Sequence, residues 1–206
     1  MNALCRILVV PLAVASAACT PTVSLTVDSD VPEALVDRYP INVGVYYDES
    51  FENYVYKESS EDRGNWSIDS GAEQVELFDQ MLESMFLSVR RVDGPPGPGQ
   101  GIDAVVSPKI EDMQFAMPKE TGFEFYEAWI KYRINLYEPD GKPIADWVVT
   151  AYGKAAPEKS QLIIFENQDA SLNEAIGVAL RDAGAKISLG FSEIPEVKDW
   201  LAKRSP

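Results

Sequence analysis

Three pairs of carboxylates lie close enough in sequence, or on neighbouring strands, to invite acid–base chemistry: Asp48 with Glu49, Glu111 with Asp112, and Glu124 with Asp146. Such work needs one acid kept neutral by burial beside another left ionised. Adjacent strand residues point to opposite faces, so Glu111 and Asp112 on a strand do not share a site. With 33 acids in 206 residues, neighbouring carboxylates are expected from composition, and a solvated surface accounts for them. The chain holds no histidine, which removes the commonest general base, histidine triads and histidine–zinc sites. Neither Gly-x-Ser-x-Gly nor Ser-x-x-Lys occurs to activate a serine. The acidic clusters Asp28/Asp30/Glu33 and Asp48/Glu49/Glu52 lack the Asp-x-Asp-x-Asp-Gly spacing of a tight calcium loop. Gly97-Pro98-Gly99 alternates glycine with proline, which has no amide to offer a phosphate. These residues predict no enzyme, no bound metal and no cofactor.

The informative pattern is aromatic. Along 123–137, Tyr126, Ala128, Ile130, Tyr132, Ile134 and Leu136 alternate with Glu127, Trp129, Lys131, Arg133 and Asn135. That period of two predicts a strand whose apolar row faces a core. The other face carries Phe123, Phe125 and Trp129 in line with Lys131 and Arg133. Three readings are open for it. Helices, or the apolar segment Leu162–Phe165, cover it and make it core. Alternatively it is a partner-binding surface, aromatic with a charged rim, or a groove for a lipid or other apolar ligand.

The elements that must position this strand are legible around it. Ile41, Val43, Val45 and Tyr47 alternate as a strand, and Phe51 to Tyr56 suggests a further extended piece ended by a polar loop, 57–65. Ser70-Gly-Ala-Glu73 has the form of a capping box, followed by Val75, Phe78, Leu82, Met85 and Val89 at helical spacing. The glycine–proline run 93–101 marks a loop, and 102–115 reads as a strand in which Pro108 signals a bulge or an edge. Glu138-Pro-Asp-Gly141 is turn chemistry that joins the long strand to another, 144–152, as a hairpin. Ser171-Leu-Asn-Glu174 is a second capping box before Ile176, Ala179, Leu180, Ala183 and Ile187, and Pro195 opens a short last helix. The order predicts an α+β fold: a mostly antiparallel sheet with two long helices on one face and a short C-terminal helix.

Composition sets the address. A net charge of −15 argues against a nucleic-acid surface, which requires a basic stripe. At the N-terminus, Arg6 precedes a short apolar run, 7–14, and the small residues Ser16, Ala17 and Ala18. This is the layout of an export signal, too short to span a bilayer. Ala15-Ser16-Ala17 offers a small-x-small pattern for ordinary signal cleavage. The sequence Ser16-Ala17-Ala18-Cys19 also resembles the lipobox of bacterial lipoprotein precursors. That resemblance covers about the first twenty residues. It implies a signal peptide over 1–18 and a Cys19 carrying palmitate-type acyl chains as a membrane anchor. Thr20, where an aspartate would retain the protein at the inner membrane, implies an outer-membrane lipoprotein facing the periplasm.

The chain is accordingly divided into a signal (1–18), a tether (19–40) that has room for a short strand at Val23, Leu25 and Val27, and one periplasmic domain (41–206). Cys5 leaves with the signal, so the domain has no internal disulfide. The expected role is that of a binding or accessory subunit of an envelope protein complex in transport, secretion or assembly. A carrier or sensor of an apolar ligand is the alternative.

Overall fold

The computed structural model describes residues 22–26, 37–94, 97–122, 124–157 and 168–204. Cys19, Phe123 and the Leu162–Phe165 segment lie outside the described residues, as does the signal. The row Tyr126, Ala128, Ile130, Tyr132, Ile134 and Leu136 is nowhere more than 1% exposed, so the period of two is a record of one buried face.

That row belongs to β7 (Tyr126–Tyr137), in the middle of the longest ladders of the molecule. It pairs antiparallel with β6 (Ala104–Ala116) and with β8 (Pro143–Ala155), the latter through the turn at Gly141, whose φ of 87° suits glycine. On the far side of β6 the sheet turns parallel: β2 (Tyr39–Val45) pairs with Ala104–Val106 and then with β5 (Phe86–Arg91). The five-stranded order is β5-β2-β6-β7-β8. The ladder is antiparallel over most of its length and the class is α+β, as the pattern predicted. Pairing of β6 with β2 ends at Val106, two residues before Pro108, which has no amide to continue it. The bulge falls further on, between Ile110 and Asp112.

Helices α2 (Gly71–Met85) and α4 (Gln168–Gly190) cover the buried face. Phe78 and Met85 of α2 are fully buried, and Phe78 meets the Tyr132 ring edge-on at 5.6 Å. The Tyr132 hydroxyl donates to Gln74 inside the same layer. From α4, Leu172, Ala175, Ile176, Ala179, Leu180, Ala183 and Ile187 pack inward, and α5 (Pro195–Ala202) adds Val197 and Trp200. Small residues let α4 approach closely. A Cβ on Gly153 would stand 2.0 Å from the Ala175 carbonyl oxygen and 2.4 Å from the Ala179 nitrogen.

Several local expectations differ. Phe51 lies in a short helix, α1 (Glu49–Glu52), capped by Asp48, whose carboxylate accepts from the Phe51 amide. The stretch read as a polar loop is a hairpin of β3 (Val55–Ser60) and β4 (Gly64–Asp69), because Trp66 and Ile68 turn inward to the core, Trp66 against Phe115. The strand suggested by Val23 and Leu25 forms as β1 (Thr22–Thr26), parallel to β4. Neither serine caps as its box suggested. Ser70 stands at the α2 N-cap without a side-chain cap bond, and α4 begins three residues ahead of Ser171. Helix α2 ends at Met85 and passes directly into β5, so Val89 belongs to a strand. A four-residue helix, α3 (Pro118–Thr121), links β6 to β7.

Candidate functional site

Among the described residues, the long helices α2 and α4 pack on the buried face of β7 and neither lies on its second face. Its strand neighbours set the surface: Trp129 pairs with Tyr152 on β8 and Gln114 on β6, Lys131 with Thr150 and Asp112, and Arg133 with Val148 and Lys109. Trp129 is half-buried, and the Tyr152 ring lies beside it with centroids 5.4 Å apart. Phe125 precedes the strand and is 39% exposed, with the Lys154 ammonium 5.1 Å from its ring centre. Val148 is 41% exposed on the same face. Of the aromatic residues singled out, Phe125 is exposed and Trp129 half-buried on a face that neither α2 nor α4 covers, while Phe123 and the Leu162–Phe165 segment lie outside the described residues.

The rim is self-neutralised rather than free. The β6 bulge leaves Glu111 unpaired between the Arg133 and Lys131 rungs. From there its carboxylate accepts from Lys131 Nζ at 2.9 Å and Arg133 Nε at 2.6 Å. These two cations hold the Glu111 carboxyl below the usual range. Arg133 also bonds Asp146; Glu111 first, and Asp146 after it, raise the guanidinium above its ordinary value. Two cations thus face two anions, and the pair Lys131/Arg133 presents little net field to a partner. At the aromatic end, the Tyr152 hydroxyl donates to Glu127; that bond, helped by burial, pushes its phenol up to about 12.

The carboxylate pairs resolve into structural work. Glu111 ties the β6 bulge to β7, Asp48 caps α1, and Asp146 anchors Arg133. Asp112 accepts from Gln114, and Glu124 is exposed. The acidic residue Glu52 pairs with Arg91 at 3.6 Å.

Further along the same face, beyond Arg133, an open pocket of about 310 Å³ lies between β6, the β7–β8 turn and the segment at Gly94. Tyr46, Val105, Ser107, Lys109 and Tyr137 line it, with Asp48 and Glu138 at its edge. None of Phe125, Trp129, Lys131 or Arg133 reaches it. The sequence signal for this pocket was faint: Tyr46 and Tyr137 are ordinary members of their strands until the turn brings them together. Tyr152 and Val148 were likewise missed, although alternation along 143–155 places both on the outward row.

No protein-family model matches the chain, and no curated protein matches it in sequence. The fold is shared with a protein from Xanthomonas campestris described by the DUF330 family model, which aligns with a TM-score of 0.53 and 10% identity over 81% of this chain and 92% of that one. A minor lipoprotein from Acinetobacter baumannii aligns with a TM-score of 0.40 and 9% identity, over 82% of this chain and 97% of that one. Among the described residues no helix is long and apolar enough to cross a membrane.

Proposed function

We propose that this protein is an outer-membrane lipoprotein, anchored through Cys19 and facing the periplasm, that acts by binding as an accessory subunit of an envelope protein complex. The observation that carries the reading is the face of the five-stranded sheet that no long helix among the described residues covers. Helices α2 and α4 pack on the other side, and this face presents Phe125, Trp129, Tyr152 and Val148 around a neutralised ion ladder. Such a face offers aromatic anchors in a polar surround, the composition of a protein-binding patch. Binding rather than catalysis suits it, because the carboxylates on it are paired with cations or hydrogen-bonded in structural roles. The pocket at Tyr46 and Tyr137 favours a second reading, a carrier or sensor of a small apolar ligand, and its volume sits near the lower end for ligand sites.

Two variants test this. Wild type should sediment with membranes and Cys19→Ser should stay soluble; equal distribution of both forms defeats the anchor. Trp129→Ala should weaken recovery of a stoichiometric protein from detergent-solubilised membranes while melting within about 1 kcal/mol of wild type, the worth of one aromatic pair. Unchanged recovery would defeat the docking face. Co-purified lipid in place of a protein would favour the carrier.

A further inference from the structure

The register of β1 decides which end of the molecule faces the membrane. Thr22 lies opposite Asn65 and β1 runs parallel to β4, so the chain enters beside the turn that joins β3 to β4. Only Thr20 and Pro21 separate Thr22 from Cys19. Three Cα-to-Cα steps span at most ~11 Å, so an acyl chain on Cys19 holds the bilayer close to that turn.

The turn has company at that end of the fold. Arg63 reaches from it to Glu120 of α3 at 2.6 Å and to the Phe115 carbonyl at 3.1 Å. Beyond α3 come the exposed Phe125 ring and the start of β7, where Tyr126 pairs with Ala155 at the end of β8. The pocket and the β7–β8 turn lie at the other end of β7, ~36 Å away at the rise of an extended strand. Lys119 and Lys154 are exposed near the Phe125 end, and an aromatic ring with ammonium groups suits the headgroup layer. Glu61 and Asp62 are exposed at the turn, so this end carries both signs and has no strong preference for anionic lipid.

We propose that the protein stands on the bilayer in one orientation. The Glu61–Asp62 turn, α3 and Phe125 meet the lipid headgroups, and the Tyr46/Tyr137 pocket points away from them into the aqueous space. This rests on acylation of Cys19, and it adds to that reading a lipid-facing surface and a direction for the pocket. The aromatic sheet face then stands across the membrane plane, open to a neighbour held in the same bilayer.

The test uses the full, acylated protein in phosphatidylcholine vesicles that contain headgroup-spin-labelled lipid. A fluorophore is attached through Asp62→Cys in one sample and Lys142→Cys in another; acylated Cys19 has no free thiol to compete. Quenching should be severalfold stronger at position 62 than at 142. A flexible Gly/Ser linker inserted between Pro21 and Thr22 should erase most of that difference while leaving the protein on the vesicles. Equal quenching at both positions with the protein still vesicle-bound overturns the orientation and leaves the anchor standing. Failure of the unmodified protein to sediment with vesicles overturns the anchor, and the orientation with it.

Discussion

The Tyr152 backbone amide donates to the Asp182 carboxylate at 2.9 Å, so a side chain of α4 closes a sheet edge that β8 would otherwise leave open. Lys186, one turn on, donates to the Thr150 carbonyl at 3.0 Å and pairs with Asp182 at 2.7 Å. An edge strand with free amides and carbonyls invites pairing with another chain, and here the helix occupies both groups. The opposite edge, β5, has no such cover from its own helix, but its exposed Arg90 and Arg91 make it a charged edge.

Asp182→Ala should expose this edge. The loss of a charged acceptor predicts about 1–3 kcal/mol of destabilisation in urea. Light scattering on partial unfolding should rise with it, and Asp182→Asn, which keeps an acceptor oxygen, should recover most of both. Equal behaviour of the two variants would mean that the cap contributes nothing.

Phe78 is fully buried between α2 and the sheet, against Phe51 and Tyr132. Phe78→Ala should cost about 3–5 kcal/mol by equilibrium denaturation, as large-to-small core changes do. A cost below ~1 kcal/mol would mean that this layer is not the core.

Gly153 must be a glycine for space, since its φ lies outside the left-handed region but α4 backbone occupies the site of any Cβ. Gly153→Ala should lower stability by about 3 kcal/mol or more, the upper range for overpacking. Ala151→Gly, two residues away on the same buried row, removes a methyl instead and should cost less.

Alkaline titration reports the Tyr152–Glu127 bond. The folded phenol is raised from 10.0 to about 12, so its contribution to stability is full below pH 10 and is lost as pH rises through about 12. The phenolate absorbance removed by Tyr152→Phe should therefore titrate near 12 in the wild type. Glu127→Gln should bring it back toward 10. A Tyr152 phenol that already titrates near 10 in the wild type would sink the assignment.

Local pattern carried much of the fold. The inward row of β7, the apolar stripe of α2 and the face of α4 are readable because a one-sided environment imprints a period of 2 or 3.6 on the residues themselves. The β7–β8 hairpin is readable because Pro139, Asp140 and Gly141 have turn chemistry of their own. The β3–β4 hairpin escaped notice because its polar outward residues outnumber the buried Trp66 and Ile68, and Trp66 packs on Phe115, some fifty residues along the chain.

By itself, then, the sequence determined the α+β class, the buried row of β7 and the residues of its other face. Only the tertiary structure decided that α2 and α4 both pack on the inward row and leave this other face to its strand neighbours. The same residues would be core had α2 or α4 packed on that side, and no periodicity within 123–137 records where a distant helix lies. The self-neutralised rim is also a tertiary product. Glu111 meets Lys131 and Arg133 because a one-residue bulge shifts the register of β6 against β7, and register is a relation between strands that neither strand specifies alone.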